Sequence, residues 1–470
     1  MKKLKDIIDC DFDVEITGIN EDSRDIKPGY LFVATKGFNV DHFDYIDSAI
    51  KNGAVALVTD RKYDTDLPLV IVDDINSTYL ELCKKFYNVK LDELSLIGIT
   101  GTDGKTTSAT IVQKVLNDSM KCACLGTNGL SIEDEVYHTN NTTPCISELY
   151  SSLSIAENNN CKELVMEVSS EALLHGRVKG LKYDIVAITN ITEDHLNIHK
   201  TLENYRKCKL SIVNYLKDEG IVIVNGDDEI CKSLHADNLI TFGFNKDNDY
   251  VIFDYEEDRN GLKFKVRNND NVYDISSSLF GKYNAYNICL GFIIGLCKKI
   301  PVDDLIKALA NINFVAGRGE VLRFGQDYDI ILDYAHTYNS INNLLNSVKD
   351  KYKRIITVTG AAGGREKEKR SKIGDVLLNK SDIVVFTMDD PRYEDVNSII
   401  DDMIGDSTKT NYIREVDRVR AIYKAFDMAE EGDAVLVIGK GRDDYMALAE
   451  GKVPYCDYDV ICDYFKQFNL

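Results

Sequence analysis

The segment Leu94-Ser-Leu-Ile-Gly-Ile-Thr-Gly-Thr-Asp-Gly-Lys-Thr-Thr107 decides the fold class of this chain. It opens with an apolar run of strand length, continues into a loop with two glycines, and leads into residues 109–116, which are typical of a helix. Glycines allow backbone N–H groups to converge on phosphate oxygens, and the N-terminus of the following helix adds a partial positive charge. A strand, a Gly-Lys-Thr loop and a helix in this order predict a phosphate-binding loop.

Within this loop, the lysine and the threonine after it have the most defined roles. Lys105 can reach the β- and γ-phosphates of a nucleotide, and the Thr106 hydroxyl can bind Mg²⁺. The common pattern has a glycine where this sequence has Ile99, so the loop is a shortened variant. The residues expected to contact the nucleotide are Gly101, Thr102, Asp103, Gly104, Lys105, Thr106 and Thr107. The loop predicts ATP or GTP binding, but it does not distinguish a ligase from a switch or a motor.

Short apolar runs recur on both sides of the loop. They fall at residues 30–34, 54–58, 69–72, 163–167, 185–188, 220–224, 330–332, 354–358, 383–386 and 434–438. Segments of helix length separate most of them, which is the pattern of buried parallel strands joined by crossover helices. We therefore expect an α/β protein of three domains around a shared cleft. These are a smaller N-terminal α/β domain (1–90), a central domain with the phosphate loop on a parallel sheet with flanking helices (91–318), and a Rossmann-like α/β domain (319–470).

Composition excludes several classes of function. A length of 470 residues is too great for one hydrophobic core. The formal net charge of −21 argues against nucleic acid, because phosphate contacts need a basic surface. No apolar run approaches the ~20 residues of a membrane span, and Asp6 and Asp9 interrupt any signal-peptide pattern. The twelve cysteines form no C-x-x-C pair, so we expect a reduced cytoplasmic protein without structural zinc. We also expect a monomer that acts on small molecules.

Four further motifs follow the phosphate loop in order. They are Glu167-Val-Ser-Ser-Glu-Ala-Leu173, Thr189-Asn-Ile-Thr-Glu-Asp-His-Leu-Asn-Ile-His199, Gly317-Arg318 and Asp333-Tyr-Ala-His336. Together with the loop they resemble the Mur ligase family over nearly the whole chain. The resemblance implies ATP-dependent formation of an amide bond. A carboxylate is a poor electrophile, and ATP can activate it as an acyl phosphate that an amine then attacks.

Negative charge accumulates where carboxylate meets γ-phosphate, so cations must converge there. The resemblance implies that Glu167 and His195, together with Thr106, bind Mg²⁺. Taken alone, a glutamate at a strand end is usually solvated and a lone histidine is usually structural. The segment Glu203-Asn-Tyr-Arg-Lys-Cys-Lys-Leu210 resembles the one whose lysine is carbamylated by CO₂ in these ligases. Its register selects Lys209 rather than Lys207, although both also fit solvated helix lysines. Lys105, Glu167, His195 and Lys209 are the implied catalytic residues.

The resemblance also implies nucleotide contacts far from the loop. Asn284 and Asn287 match the adenine-side asparagines of the family, although by themselves they could cap a helix. Arg318 and Asp333 match residues that reach ATP from the last domain. Closure of the domains would then complete the site and keep water from the acyl phosphate.

The first 90 residues resemble the UDP-binding domain of the tripeptide synthetases within the family. Asp22-Ser-Arg24 and the following Lys27-Pro-Gly-Tyr-Leu-Phe-Val-Ala34 carry this likeness, and Ser23 is the implied uridine-side residue. Asp22-Ser23 could otherwise form a simple turn. The sequence has Asp41-His-Phe-Asp-Tyr-Ile46 where the group usually has Asp-Gly-His-Asp-Phe-Ile, which leaves the uracil contacts open.

The likeness extends to the muramyl-dipeptide substrate. The implied contacts are Thr142, Thr143, Ser169, His175 and Arg177. A guanidinium can bind a carboxylate with two parallel hydrogen bonds, which makes Arg177 an apt partner for a D-glutamyl carboxylate. Histidine stands at 175 where the group often has glutamine.

The incoming amino acid is assigned to the last domain. Asp389-Asp-Pro-Arg392 resembles the Asp-Asn-Pro-Arg motif of enzymes that add meso-diaminopimelate, in which Arg392 would bind the distal carboxylate. Arg365 would bind the α-carboxylate. Gly439-Lys-Gly-Arg-Asp443 replaces the usual Gly-Lys-Gly-His-Glu, which shortens the amine-binding carboxylate. The implied contacts are Arg365, Asp389, Asp390, Arg392, Gly439 and Asp443. We expect diaminopimelate, with L-lysine or another diamine as the alternative.

Two other hypotheses remain at this point. A polyglutamate or amidating ligase would use the same chemistry on another carboxylate. The polyglutamate ligases lack the UDP-binding domain, and the amidating relatives carry a four-cysteine zinc insert that is missing here. A non-catalytic nucleotide-binding regulator would need fewer of the residues named above.

Overall fold

The computed structural model describes residues 1–37, 40–258, 260–365 and 367–467, with Asn197 described by its backbone alone. Two compact units divide the chain. One comprises Met1–Thr241 with Cys297–Ile300, and the other comprises Phe242–Leu296 with Pro301–Leu470. The division into three domains stays a prediction.

The first unit contains fourteen strands and eight α-helices among its described residues. The strands are β1 (Lys2–Lys3), β2 (Glu15–Ile16), β3 (Gly18–Asn20), β4 (Tyr30–Val33), β5 (Ala54–Thr59), β6 (Leu69–Ile71), β7 (Ser95–Thr100), β8 (Cys122–Gly126), β9 (Gly129–Ile132), β10 (Glu135–Tyr137), β11 (Glu163–Glu167), β12 (Tyr183–Ile188), β13 (Leu216–Asn225) and β14 (Leu239–Gly243), the last of which ends in the second unit. The helices are α1 (Ile46–Lys51), α2 (Ile75–Tyr87), α3 (Lys105–Asn117), α4 (Ile146–Asn158), α5 (Ser170–Leu174), α6 (Leu196–His199), α7 (Leu202–Leu210) and α8 (Glu229–Lys232).

The phosphate-loop strand lies in the middle of a parallel sheet. The order is β8-β11-β7-β12-β13, with β9 and β10 added antiparallel beyond β8. Nearly every residue of β7, β11 and β12 is buried, as expected for strands covered on both faces. The carboxyl ends of neighbouring parallel strands meet at one edge, so the residues after β7, β11 and β12 come together there.

A second parallel sheet of four strands, β3-β4-β5-β6, belongs to the same unit. One continuous core joins the two sheets, since side chains such as Leu31 and Val58 cluster with Leu96 and Leu164. Burial of this apolar surface is the main force that holds residues 1–90 onto the phosphate-loop sheet.

The second unit is also α/β. Its strands are β15 (Tyr250–Asp258), β16 (Gly261–Asn268), β17 (Asn271–Ser277), β18 (Glu320–Leu322), β19 (Asp329–Asp333), β20 (Ile355–Thr359), β21 (Ile383–Phe386), β22 (Tyr412–Arg414), β23 (Ala434–Ile438), β24 (Tyr445–Leu448) and β25 (Gly451–Pro454). Its helices are α9 (Lys282–Cys297, the last residue of which lies in the first unit), α10 (Val302–Ala310), α11 (Tyr338–Val348), α12 (Glu368–Lys380), α13 (Val396–Ile404), α14 (Arg418–Met428) and α15 (Asp457–Lys466).

A six-stranded sheet of order β18-β19-β23-β20-β21-β22 is parallel except for the edge strand β18. Its carboxyl edge carries Asp333, the last residue of β19, and Gly360, Asp389 and Gly439, each of which follows a strand directly or shortly after its end. The order and the crossover helices confirm a Rossmann-like arrangement.

Most predicted strands are confirmed to within a few residues, and three runs (163–167, 383–386 and 434–438) match the observed strands. The antiparallel strands β15, β16 and β17 were not predicted, because their alternating exposed positions are polar. The twelve cysteines are free. Within the described part of the chain, no helix has the length and apolarity to cross a membrane.

Candidate active site

Two glycines shape the phosphate loop. Gly104 adopts a φ of 84°, a left-handed conformation that favours glycine, and caps the N-terminus of α3. Gly101 packs so closely that a Cβ there would lie 1.9 Å from the Thr189 hydroxyl oxygen. Thr106 and Thr107 are buried in the first turn of α3. The local geometry is that of a loop that presents backbone N–H groups in front of a helix N-terminus.

The loop is held by Thr189 and Asn190 of the 189–199 motif, in which only His195 was predicted to have a role, as a metal ligand. The Asn190 side-chain oxygen accepts from the Asp103 N–H at 3.0 Å, and the Thr189 hydroxyl donates to the Asp103 carbonyl at 2.7 Å. The Thr102 hydroxyl lies 2.9 Å from the Tyr205 hydroxyl. Both sides of the loop are therefore fixed by side chains.

Lys105 folds back over the loop. Its Nζ donates to the carbonyl oxygens of Gly101 and Thr102, each at 2.9 Å. The amine thus lies above the same backbone that would receive the phosphates.

Glu167 ends β11 and points at the start of α3. One of its oxygens accepts from the Thr106 hydroxyl at 2.9 Å, and the other accepts from the Thr127 N–H at 2.8 Å. The carboxylate is buried, and the hydroxyl and carboxylate together form a pair of hard oxygen ligands of the kind that Mg²⁺ prefers. Thr127 was not predicted as a site residue, because no strand was predicted at Cys122–Gly126 to place it at this sheet edge.

His195 stands in a left-handed conformation with a φ of 51°. Its Nε2 is 3.4 Å from an Asp194 carboxylate oxygen, and burial lowers the pKa of the imidazole. The neutral imidazole is the form that can bind a metal. The described residues include no group of three or more His, Cys, Asp or Glu side chains placed to hold a metal by themselves.

Lys209 and Lys207 have opposite surroundings. Lys209 is 2% exposed, whereas the Lys207 side chain is 73% exposed and pairs with Glu203. Lys209 donates from Nζ to the Gly101 carbonyl at 2.7 Å. Burial, and then the charge of Lys105, lowers the pKa of the Lys209 amine well below its usual value. A neutral amine is the form that reacts with CO₂, so of these two lysines Lys209 has the environment that favours carbamylation.

The residues predicted to hold the dipeptide gather behind Glu167. Thr143 is buried and donates to the Glu167 carbonyl at 2.8 Å, while its own carbonyl accepts from Arg177 Nη1 at 3.1 Å. The Ser169 hydroxyl caps α5 by accepting from the Ala172 N–H, and its own N–H donates to the Thr143 hydroxyl. The structure thereby brings together Thr143, Ser169 and Arg177.

The remaining predicted contacts lie around this group. The Thr142 hydroxyl is 3.2 Å from that of Thr127, and His175 is an exposed residue at the C-terminus of α5. Ser23 is buried at the start of a short 3₁₀ helix, Ser23–Asp25. The Asn140 side chain donates to Asp25 at 3.3 Å, which connects this helix to the segment before Thr142.

In the second unit, the predicted nucleotide contacts flank the start of α9 and the end of β19. The Asn284 amide donates to the Phe280 carbonyl at 2.7 Å, and the Asn287 amide donates to the Asn284 side-chain oxygen at 3.0 Å. Asp333 accepts from the Gly319 and Ala335 N–H groups, and burial raises the pKa of its carboxyl. The guanidinium carbon of the predicted ATP contact Arg318 lies 4.5 Å from the centre of the Tyr334 ring.

The predicted amino-acid contacts line the carboxyl edge of the six-stranded sheet. Lys440 is buried, and its Nζ donates to Asp390 at 2.8 Å and lies 3.4 Å from Asp443. A Cβ on Gly439 would be 2.3 Å from an Asp389 oxygen, which explains the glycine. Burial raises the pKa of both Asp389 and Asp443.

Two arginines lie on adjacent loops at this edge. Arg392 adopts a left-handed φ of 53° and donates from Nη1 to the Gly363 carbonyl at 2.7 Å. Arg365 is exposed on the neighbouring loop. Both guanidinium groups are therefore on loops that follow strands of the same sheet.

Glu394 and Arg370 were not predicted as site residues. Arg370 is 2% exposed and donates to both oxygens of Glu394, at 2.9 and 3.1 Å. Glu394 also accepts from the Gly364 N–H. Hydrogen bonds from Arg370, followed by that N–H, lower the pKa of Glu394 to about 2.

The depressed pKa of Glu394 gives a testable pH dependence. A carboxyl with a lower pKa in the folded state stabilises the fold above its unfolded pKa, and the contribution is lost as pH falls through the folded value. We expect Glu394→Gln to lower the free energy of unfolding by about 1–2 kcal/mol near pH 7. The difference from wild type should shrink between pH 4.5 and about 2. Urea unfolding at a series of pH values measures it, and a difference independent of pH would contradict the assignment.

The phosphate loop, the buried parallel sheet that carries it and the oxygen pair beside the loop define a nucleotide-dependent enzyme of the phosphate-loop class. The sequence matches three family models: "Mur ligase family, catalytic domain" over residues 15–89, "Mur ligase middle domain" over 99–295, and "Mur ligase, glutamate ligase domain" over 317–441. A protein of Oceanobacillus iheyensis is 36% identical over 468 residues, covering 96% of this chain and 95% of the relative. A protein of Fusobacterium nucleatum is 35% identical over 468 residues, covering 98% and 95%. The chain belongs to the Mur ligase family.

Both relatives are named UDP-N-acetylmuramoyl-L-alanyl-D-glutamate–2,6-diaminopimelate ligase. Among solved structures, a ligase of that name superposes with a TM-score of 0.65 at 24% identity, covering 100% of this chain and 99% of that chain. The MurF ligase of Thermotoga maritima in complex with ADP superposes with a TM-score of 0.67 at 21% identity, covering 96% and 97%. These two likenesses confirm the fold.

Proposed function

We propose that the chain is an ATP-dependent ligase that joins meso-diaminopimelate to UDP-N-acetylmuramoyl-L-alanyl-D-glutamate in the synthesis of a peptidoglycan precursor. The observation that carries the proposal is the arrangement around the phosphate loop. Thr106 pairs with Glu167 on one side of the loop, and buried Lys209 bonds to its Gly101 carbonyl. The names of the full-length relatives support the choice of substrates.

The chemistry takes two steps. An oxygen of the D-glutamyl γ-carboxylate attacks the γ-phosphorus of ATP, and ADP leaves. The amine of the incoming amino acid then attacks the acyl carbon, and phosphate leaves while the nitrogen loses a proton. Lys105 and the loop N–H groups would hold the phosphates through both steps, where charge develops.

Thr106, Glu167 and His195 are the residues that would hold Mg²⁺. When bound, Mg²⁺ would supply positive charge that offsets the negative charge developing in the reaction. A carbamate on Lys209 forms when its neutral nitrogen bonds to the carbon of CO₂ and releases a proton. The product is an anion at the edge of the loop, able to support a second Mg²⁺.

Arg177 supports the assignment of the dipeptide. Its Nη1 is used by the Thr143 carbonyl, which orients the side chain and leaves the other guanidinium N–H groups for a carboxylate. Ser169 and Thr143 lie beside it at the end of β11.

Asp390 does not by itself favour L-lysine over diaminopimelate. A carboxylate where relatives have asparagine could bind an extra amine. Here its Oδ1 already accepts from Lys440 Nζ at 2.8 Å and from the Ala447 N–H at 2.9 Å. The charge of Asp390 is therefore largely balanced within the protein, and Asp443 is the carboxylate that would meet the incoming amine.

The free cysteines support a reducing compartment such as the cytoplasm.

ADP release with the UDP-dipeptide and a panel of amino acids tests the whole proposal. We expect turnover that needs both substrates and is greatest with meso-diaminopimelate. Turnover with L-lysine alone would change the amino acid, and turnover indifferent to both substrates would exclude a ligase of this kind.

A further inference from the structure

The two loops that carry Arg365 and Arg392 are fastened to each other. The Gly363 N–H donates to the Asp390 carbonyl at 3.0 Å, and the Gly363 carbonyl accepts from Arg392 Nη1 at 2.7 Å. A Cβ on Gly363 would lie 1.9 Å from the Pro391 carbonyl oxygen. The backbones touch, so a movement of one loop displaces the other.

The side chains of Arg370 and Glu394 bond to the backbone of the first of these loops. Arg370 Nη2 donates to the Ala362 carbonyl at 3.0 Å, and Glu394 accepts from the Gly364 N–H at 2.5 Å. Arg370 lies on α12, and Glu394 follows Arg392 by two residues. The two side chains thus grip the peptide groups on both sides of Gly363, the residue that bonds to Arg392.

The Arg370 guanidinium has little freedom. It is buried, and it makes charge-assisted hydrogen bonds to Glu394 and, at 2.9 Å, to Asp402 on α13. Both terminal nitrogens of the guanidinium make two hydrogen bonds each, and the planar fork fixes the direction of each bond. Such a group can set a loop more accurately than the glycine-rich loop could by itself.

We propose that Arg370 and Glu394 are positioning residues for the incoming amino acid, which fix the loops so that Arg365 and Arg392 face its two carboxylates. The inference rests on the proposed function, since it takes both arginines as carboxylate ligands. Arg392 uses Nη1 for the Gly363 carbonyl, which leaves Nε and Nη2 as a fork for a carboxylate. Small displacements of such a fork weaken binding strongly.

The test measures the Michaelis constants of Glu394→Ala and of the milder Glu394→Gln. For Glu394→Ala we expect the KM of the amino acid to rise by a factor on the order of 10, with a smaller rise for Glu394→Gln. The KM of ATP, the KM of the UDP-dipeptide and kcat should stay within about twofold. Equal changes in all four quantities would overturn the proposal, because they would indicate general damage.

Asp433→Asn is the matched control. Like Glu394, Asp433 is a carboxylate paired with an arginine, with Arg354 Nη2 at 2.6 Å. It directly precedes β23, and Arg354 directly precedes β20, so this pair lies at the amino ends of the strands, opposite the site. We expect Asp433→Asn to lower the melting temperature without raising the KM of the amino acid. A similar rise in that KM would overturn the positioning role.

Hydrogen exchange separates this inference from the proposed ligase activity. The Gly363 and Gly364 N–H groups are both bonded, to Asp390 and Glu394. Their exchange should quicken in Glu394→Ala and stay unchanged in Asp433→Asn, whether or not the enzyme turns over. If exchange is faster in Glu394→Ala but the wild-type protein shows no turnover that depends on an amino acid, the proposed function is contradicted. The role of Glu394 in fixing the two loops would still stand. Unchanged exchange in Glu394→Ala would show that Glu394 does not fix the loops, even if the protein is an active ligase.

Discussion

Replacing Lys209 by alanine is expected to lower kcat by a factor on the order of 10³ or more, because it removes the anion proposed to support charge development at the phosphate loop. The amine is buried, bonded to the Gly101 carbonyl, and has a pKa lowered by burial, so it can react with CO₂. Initial rates with saturating substrates measure the loss. Added bicarbonate or a small carboxylate should restore part of the activity by filling the space left by the side chain.

Lys207→Ala is the control for this experiment. Lys207 lies two residues away on the same helix, but it is exposed and paired with Glu203. Its removal should leave kcat within about twofold, since an exposed ion pair contributes little. A carbamate signal in the ¹³C NMR spectrum after addition of ¹³C-bicarbonate should appear in wild type and Lys207→Ala but not in Lys209→Ala. Full activity of Lys209→Ala would remove the carbamate from the mechanism.

Replacing Arg392 by alanine should raise the KM of meso-diaminopimelate by a factor on the order of 10²–10³, through loss of a charge-assisted pair of hydrogen bonds. The smaller change Arg392→Lys keeps the charge but not the planar fork, so we expect an intermediate effect. Steady-state kinetics with diaminopimelate and with L-lysine measure both. L-lysine lacks the distal carboxylate, so its KM should rise much less, by only as much as losing the bond from Arg392 to the Gly363 carbonyl displaces the loop of Arg365.

Arg323→Ala controls for the loss of an arginine from the same unit. Arg323 is an exposed residue that pairs with Asp329 at the amino end of β19. The KM for diaminopimelate should not change in this variant. If Arg392→Ala also leaves that KM unchanged, the distal carboxylate is bound elsewhere or the natural substrate is L-lysine or another amine.

The phosphate loop and the buried parallel strands could be predicted from the sequence because their signals are local. A strand covered on both faces is apolar throughout, as β11 and β23 are, and the loop needs its glycines in a fixed spacing. The hairpin of β16 and β17 was not predicted, because its strands are not apolar throughout. Its strands alternate between buried and exposed residues, and its turn at Asn269 and Asp270 lies in a polar run.

Only some residues of the candidate site could be predicted from the sequence. The choice of Lys209 over Lys207 came from the family resemblance, although Tyr205 and Lys209 are four residues apart and share one helix face, which was a local signal. Glu394 and Arg370 gave no such signal. They are 24 residues apart, and a charged residue reads as solvated until the fold shows what it contacts.

The Gly101 carbonyl oxygen receives hydrogen bonds from both Lys105 and Lys209. Two protonated amines at this carbonyl would repel each other. This repulsion from Lys105 adds to the effect of burial in lowering the pKa of Lys209. Carbamylation would give Lys209 a negative charge, and Lys105 would then be attracted to it instead of repelled. The behaviour of a sample should then depend on its history: enzyme stored free of CO₂ should start slowly and reach full rate only after exposure to bicarbonate, and a constant rate from the first turnover would argue against this coupling.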